Sequence, residues 1–355
     1  MLQLIKYNLF IICFTLLLFH PSARAETSSN SKLLSILDEA EDYILVKPSR
    51  TIELLTNFSD ISSLSNKNII KWHITVIRAS VSTNNLNKLK DAINKVIKFS
   101  EDPYFQERLN TILSGIGIWF RKSGDFEAAK QCFKCALAQT IEDKIRVKLL
   151  INLGLVYRHV GDKSQAHYIY TEAQTLAKKL KYKTMLATTE NNLGVIALEQ
   201  NNLSLAERHF RKALSTYQAL SKRSGIIISS INLLTTFYLQ NEEINYHRLF
   251  SSVSRQTNTF PDKTKKAYLY VVNTAFNAKF VNKEAPINSK KLHKAFVNLQ
   301  SRKLQAFLKS KLPNILNEQF IVPKFKNESV DERTWLTNIS QCQWNDLDLN
   351  FTSNL

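Results

Sequence analysis

Between residues 108 and 220 apolar positions recur at helical spacing in alternating blocks, and the blocks themselves repeat. Leu153, Gly154 and Tyr157 fall on one helical face; beyond the turn Gly161-Asp162, Ala166, Tyr170 and Ala173 fall on another. The same order runs upstream through Gly117, Phe120, Gly124-Asp125-Phe126, Ala129, Phe133 and Ala136. It runs downstream through Gly194, Ala197, Asn201-Asn202-Leu203, Ala206, Phe210 and Ala213, with steps of 37 and 40 residues. Each block pair predicts two antiparallel helices joined by a turn whose glycine can take positive φ. Gly154 and Ala166 lack bulk, so their helices can approach closely while Tyr157 and Tyr170 fill the space beside them. A single pair leaves one flank exposed, and only stacking on the next pair buries it.

Weaker copies extend the series. Leu234, Phe237 and Phe250 keep the pattern downstream without its small residues, and Asn84-Asn85-Leu86 keeps the turn upstream. The stretch from Ser31 to Leu55 reads as a helix pair broken near Pro48. Helical repeats are therefore expected over 26–262, followed by a basic helical cap over 263–312 and an irregular tail over 313–355. The repeat skeleton resembles the tetratricopeptide repeat superfamily, most specifically over residues 108–220. Its 40-residue step resembles the long-repeat subclass of kinesin light chains and bacterial peptide-responsive regulators. The resemblance implies an all-α fold, a right-handed α-solenoid of stacked antiparallel helix pairs, with a groove along the first helix of each pair.

On that groove-facing side the second unit carries Asn152, Leu155, Arg158 and His159, and the third carries Asn191, Asn192 and Val195. Asn152, Asn192 and Asn232 recur at steps of 40. An asparagine offers both a donor and an acceptor, so a row of them can pair with the backbone of an extended peptide whatever its side chains are. Relatives of this kind use such a ladder, although Asn-Leu-Gly is also a common helix-surface habit in these repeats. Arg121, Lys122, Arg158 and His159 are candidates to receive an acidic group, or are solvated helix ends. Ser114, Gly115 and Ile118 are read on the same groove side, and Ser114 and Ile118 lack the groove chemistry of a clamp for a C-terminal carboxylate.

Charge changes the picture at the C-terminal side. The chain carries 48 Lys and Arg against 30 Asp and Glu, and 14 of the basic residues fall between Lys263 and Lys326 against two acids. Around Leu292, Phe296, Leu299, Ala306 and Phe307 a single amphipathic helix is expected, with Lys290, Lys291, Lys294, Arg302 and Lys303 on its flanks. Such a surface suits an anionic membrane or polysaccharide, or it caps the array.

The leader, with Lys6, the uncharged run Leu9–Phe19 and Ala23-Arg24-Ala25, fits an export signal cleaved after Ala25. It is too short for a spanning helix of roughly 20 residues. The expected setting is periplasmic or secreted. Cys132 and Cys135 bracket core Phe133 and lack a second cysteine pair or a histidine at ligand spacing, which argues against redox or metal work; a bond from one of them to Cys342 stays open. No phosphate loop, catalytic triad order or metal motif is present. The sequence therefore predicts a binding scaffold, not an enzyme, with no cofactor, nucleic acid or small-molecule substrate and with a protein or peptide partner.

Overall fold

The computed structural model describes residues 22–58, 60–282 and 286–323, with side chains from residue 30 onward. Sixteen α-helices and no strand are found among them. They are α1 (Ser22–Val46), α2 (Pro48–Thr56), α3 (Asn66–Thr83), α4 (Leu86–Val96), α5 (Pro103–Glu107), α6 (Leu109–Ser123), α7 (Phe126–Ala138) and α8 (Asp143–Val160). Then follow α9 (Lys163–Lys179), α10 (Lys183–Glu199), α11 (Leu203–Ala219), α12 (Arg223–Gln240), α13 (Glu243–Asn258), α14 (Lys263–Phe276), α15 (Ser289–Asn298) and α16 (Arg302–Lys311). The helices form two compact units, one ending at Gln139 and the other beginning at Thr140. Each is a stack of antiparallel pairs.

The turns explain the pairing. The first residue of each two-residue turn adopts the left-handed conformation: Asn84, Gly124, Gly161, Asn201 and Asn241 have φ between 59° and 97°. These are the residue types that tolerate it. The second residue caps the next helix, so Asp162 accepts from the backbone N–H of Gln165 at 2.9 Å. Asp125 and Asn202 do the same for Ala128 and Leu205. At the fifth such turn Glu242 makes no side-chain cap bond.

Between paired helices a glycine faces an aromatic ring. A Cβ at Gly154 would lie 2.5 Å from Tyr170, and one at Gly194 would lie 2.6 Å from Phe210. The missing side chain is therefore what lets α8 approach α9 and α10 approach α11 around a fully buried ring. Gly115 differs from its expected groove-facing role: a Cβ there would lie 2.5 Å from Ile77. Its face of α6 packs on α3.

In the second unit one apolar core runs from Ala197 on α10 to Phe320 beyond α16. The single basic helix expected around Leu292–Phe307 is instead two ten-residue helices, α15 and α16. Gln300 breaks it with φ 49°, and the Ser301 hydroxyl caps the restart by accepting from the Leu304 N–H. This break rotates α16, so that Gln305 and Leu308 are buried and Ala306 is exposed. Residues 313–323 form turns, yet Ile315, Leu316 and Phe320 are buried.

Candidate functional site

In the second unit the first helices of four successive pairs, α8, α10, α12 and α14, contribute to one cavity of about 190 Å³. Arg158 comes from α8, Asn191, Asn192, Val195 and Glu199 from α10, Asn232 from α12 and Tyr268 from α14. The fifth side is α16, with Leu304 and Phe307 beside Ser301. Helical spacing brings Asn191, Asn192, Val195 and Glu199 onto the same side of α10.

The asparagines differ in how committed they are. Asn232 is only 4% exposed, and its amide donates to Asn191 Oδ1 at 3.1 Å. The same Asn191 oxygen accepts from the Ser229 hydroxyl at 3.1 Å. Asn191 and Asn232 thus hold each other at the cavity wall. Asn192 is half-buried in the lining, and no side-chain hydrogen bond is recorded for it. Asn152 lies outside the lining and donates to the Lys148 carbonyl of its own helix at 3.0 Å. Leu155 and His159, also on α8, are half-buried and outside the lining.

Arg158 is engaged within the chain. Its Nε and Nη2 donate to Glu199 Oε1 at 3.1 and 2.7 Å, and the Glu199 side chain is only 6% exposed. The second carboxylate oxygen, Oε2, is buried without a hydrogen-bond partner. Lys163 Nζ donates to the Glu199 carbonyl at 3.3 Å. Burial lowers the Lys303 pKa; Arg158 and Lys163 push it the same way, and Glu199 opposes them. Sequence reading placed Arg158 in the groove but missed Glu199 as its partner, because the two are 41 residues apart. The 40-residue step, with both residues near a helix end, was the available signal.

Arg121 and Lys122 belong to α6 in the other unit. Lys122 donates to the Asn84 side chain. Burial, with Arg121 beside it, lowers the Lys122 pKa to about 8. That unit has its own cavity of about 220 Å³, bordered by Phe58, Trp72, His73, Asp91 and Lys95. Burial and then the Lys95 charge lower the His73 pKa to about 4.

Lys290, Lys291 and Lys294 are exposed on α15, while the Leu292 and Phe296 side of that helix is buried. Arg302 donates to the Pro323 carbonyl. Among the described residues no helix is long and apolar enough to cross a membrane, and no group of three or more His, Cys, Asp or Glu could hold a metal. Cys132 is a buried free thiol, and its pKa is pushed up by burial. Cys135 is disulfide-bonded. Residues 1–21 of the leader, Cys342 and the end of the tail lie outside the described residues, while the leader's last residues, Ser22–Ala25, begin α1.

A tetratricopeptide repeat family model matches residues 108–179, and a second matches 186–224. The chain is 28% identical over 103 residues to the transcriptional activator NprA of Geobacillus stearothermophilus, covering 29% of this chain and 24% of that protein. It spans less than half the length of the curated relatives it matches. Among solved structures it resembles the Rap conjugation gene regulator of plasmid pLS20 in complex with the Phr* peptide. The TM-score is 0.58 at 13% identity over 88% of this chain and 95% of that one. NprR in complex with its cognate peptide NprX gives a TM-score of 0.54 at 15% identity over 86% and 88% of the two chains. Repeat skeleton, helix pairing and family models agree that residues 108–179 and 186–224 are tetratricopeptide repeats.

Proposed function

We propose that this protein is a non-enzymatic scaffold that binds a peptide or protein segment on the inner face of its second unit. The observation that carries this reading is the cavity shared by α8, α10, α12 and α14, in which Asn192 presents amide chemistry beside Val195 and Leu198. An amide pairs with a ligand's backbone while apolar neighbours supply contact area. Two repeat proteins of similar fold, NprR and the Rap regulator, were solved with peptides bound, which supports a peptide as the ligand class. The setting we propose is extracytoplasmic, a reading supported by the leader's lysine, apolar run and Ala23-Arg24-Ala25 end.

The test is retention of an extracytoplasmic partner by the wild-type chain and by Asn192→Ala, washed at low and high salt. Asn192→Ala should weaken retention by about 1–3 kcal/mol by leaving ligand backbone groups unpaired, with helix content unchanged. Equal retention by the two proteins would remove Asn192 from the site. Retention lost from both at high salt would move the contact to Lys290, Lys291 and Lys294.

A further inference from the structure

Helix α16 sits where a ligand of the inner face would sit. Its Leu304 and Phe307, one turn apart, close the cavity against α10 and α12. Lys311, at its far end, donates to the Asn201 side chain at 3.0 Å, across 110 residues of chain. That asparagine occupies the left-handed turn position of the third repeat. At the equivalent positions, Asn84 and Asn241 accept instead from Lys122 and Lys279, each 38 residues further along. At Asn201 the C-terminal helix therefore supplies a contact that the next repeat supplies elsewhere.

The seat is imperfect in two independent ways. First, α16 packs against no other described helix as closely as the paired helices pack on each other. It rests through side chains, with the 190 Å³ cavity left beneath it. Second, the charges do not match. Glu199 already pairs with Arg158 and accepts Lys163 at its carbonyl, and α16 brings a third cation, Lys303, to the same place. Arg158 holds the Glu199 carboxylate, Lys163 holds its backbone carbonyl, and Lys303 is near enough to feel all three charges, at a partly buried place where like charges are screened less than at an open surface.

We propose that α16 is an internal stand-in for the ligand, and that the partner is a short helical or extended segment that displaces it. That segment would carry two apolar residues at the Leu304 and Phe307 positions and an acidic residue at the Lys303 position. The acid would meet Arg158 and Lys163 where a lysine now stands, so the partner outcompetes the resident helix by charge while keeping its apolar contacts. Displacement withdraws the buried Leu308 and Gln305 of α16, and the Gln305 bond to the Phe296 carbonyl, while Leu312, Leu316 and Phe320 hold the chain beyond the helix in the core. This inference rests on the peptide-binding reading above and adds the ligand's chemistry and its control.

The probe is a labelled synthetic peptide of residues 301–312, made unchanged and with Lys303→Glu. Binding to the full chain is read by fluorescence anisotropy, with wild-type protein and with a Leu304→Ser/Phe307→Ser variant that loosens α16. The Lys303→Glu peptide should bind the loosened variant about tenfold more tightly than wild type, and about tenfold more tightly than the unchanged peptide binds, the scale of one charge-pair difference of about 1.4 kcal/mol. Equal affinity for the two proteins would show that α16 does not cover the site. Equal affinity of the two peptides would overturn the charge argument. If the variant fails to fold, hydrogen exchange on wild-type protein decides: the Lys303→Glu peptide should speed exchange of α16 amides, and unchanged exchange would overturn the proposal. Peptide results that fail while Asn192→Ala still loses its partner would leave the inner-face reading intact and remove only the role of α16.

Discussion

At the level of single residues, the glycines and the turn asparagines were legible because backbone geometry restricts them to few substitutes. Gly154 and Gly194 stand where any Cβ would enter an aromatic ring, and the sequence shows each glycine with its ring at a constant separation. Buried charge was not legible in this way. Only the repeat step links Glu199 to Arg158, 41 residues apart, and nothing near His73 marks it as buried. His73 is 8% exposed on α3, and burial with the Lys95 charge lowers its pKa to about 4, against an ordinary value near 6.5. A histidine kept neutral in the folded state binds fewer protons there than in the unfolded chain whenever the pH lies between those values. Stability from this residue is therefore fully present above pH 6.5 and is lost as pH falls towards 4. The shift sets an upper bound of about 3 kcal/mol. His73→Leu should flatten the pH dependence of the urea midpoint between pH 4 and 6.5 relative to wild type, and parallel profiles would show that His73 titrates normally.

At the level of elements, the turn pattern predicted both where helices stop and what starts the next one. Gly161-Asp162 and Asn201-Asn202 divide the work, with the first residue supplying the left-handed turn and the second the cap. The break between α15 and α16 escaped the sequence reading because Gln300 takes a left-handed conformation without being Gly or Asn. Only Ser301 hinted at a restart, and a serine inside a basic amphipathic run is a weak signal. Asp162→Ala should lower stability by about 1 kcal/mol by leaving the Gln165 N–H without its partner. Glu242→Ala, at a turn with no side-chain cap bond, should leave stability within about 0.5 kcal/mol of wild type. Chemical denaturation with unchanged m-value measures both. An equal loss in the two would mean that the turn residues act through charge near the helix start and not through the cap.

At the scale of the whole molecule, the +18 formal charge and the stacked repeats offer separate ways to hold a partner, and the fold constrains one of them. An amphipathic helix enters a membrane interface through its apolar side. On α15 that side, with Leu292, Ala295 and Phe296, is already buried in the core, leaving Lys290, Lys291 and Lys294 outward. Any attachment of this region to an anionic surface would therefore rest mainly on exposed charge, with Val297 the large apolar side chain that α15 leaves exposed, and such interactions fade once the Debye length shrinks to about 3 Å near 1 M salt. Vesicles containing anionic lipid should retain the protein at low salt and release it as salt rises. Lys290→Gln/Lys291→Gln/Lys294→Gln should weaken that retention while leaving the fold and the Asn192-dependent partner unaffected. Retention that survives high salt would require an apolar face at the surface, and hence α15 leaving a core that it shares with α14. That outcome would also register as a change in hydrogen exchange at Leu292 and Phe296, which separates insertion from charge.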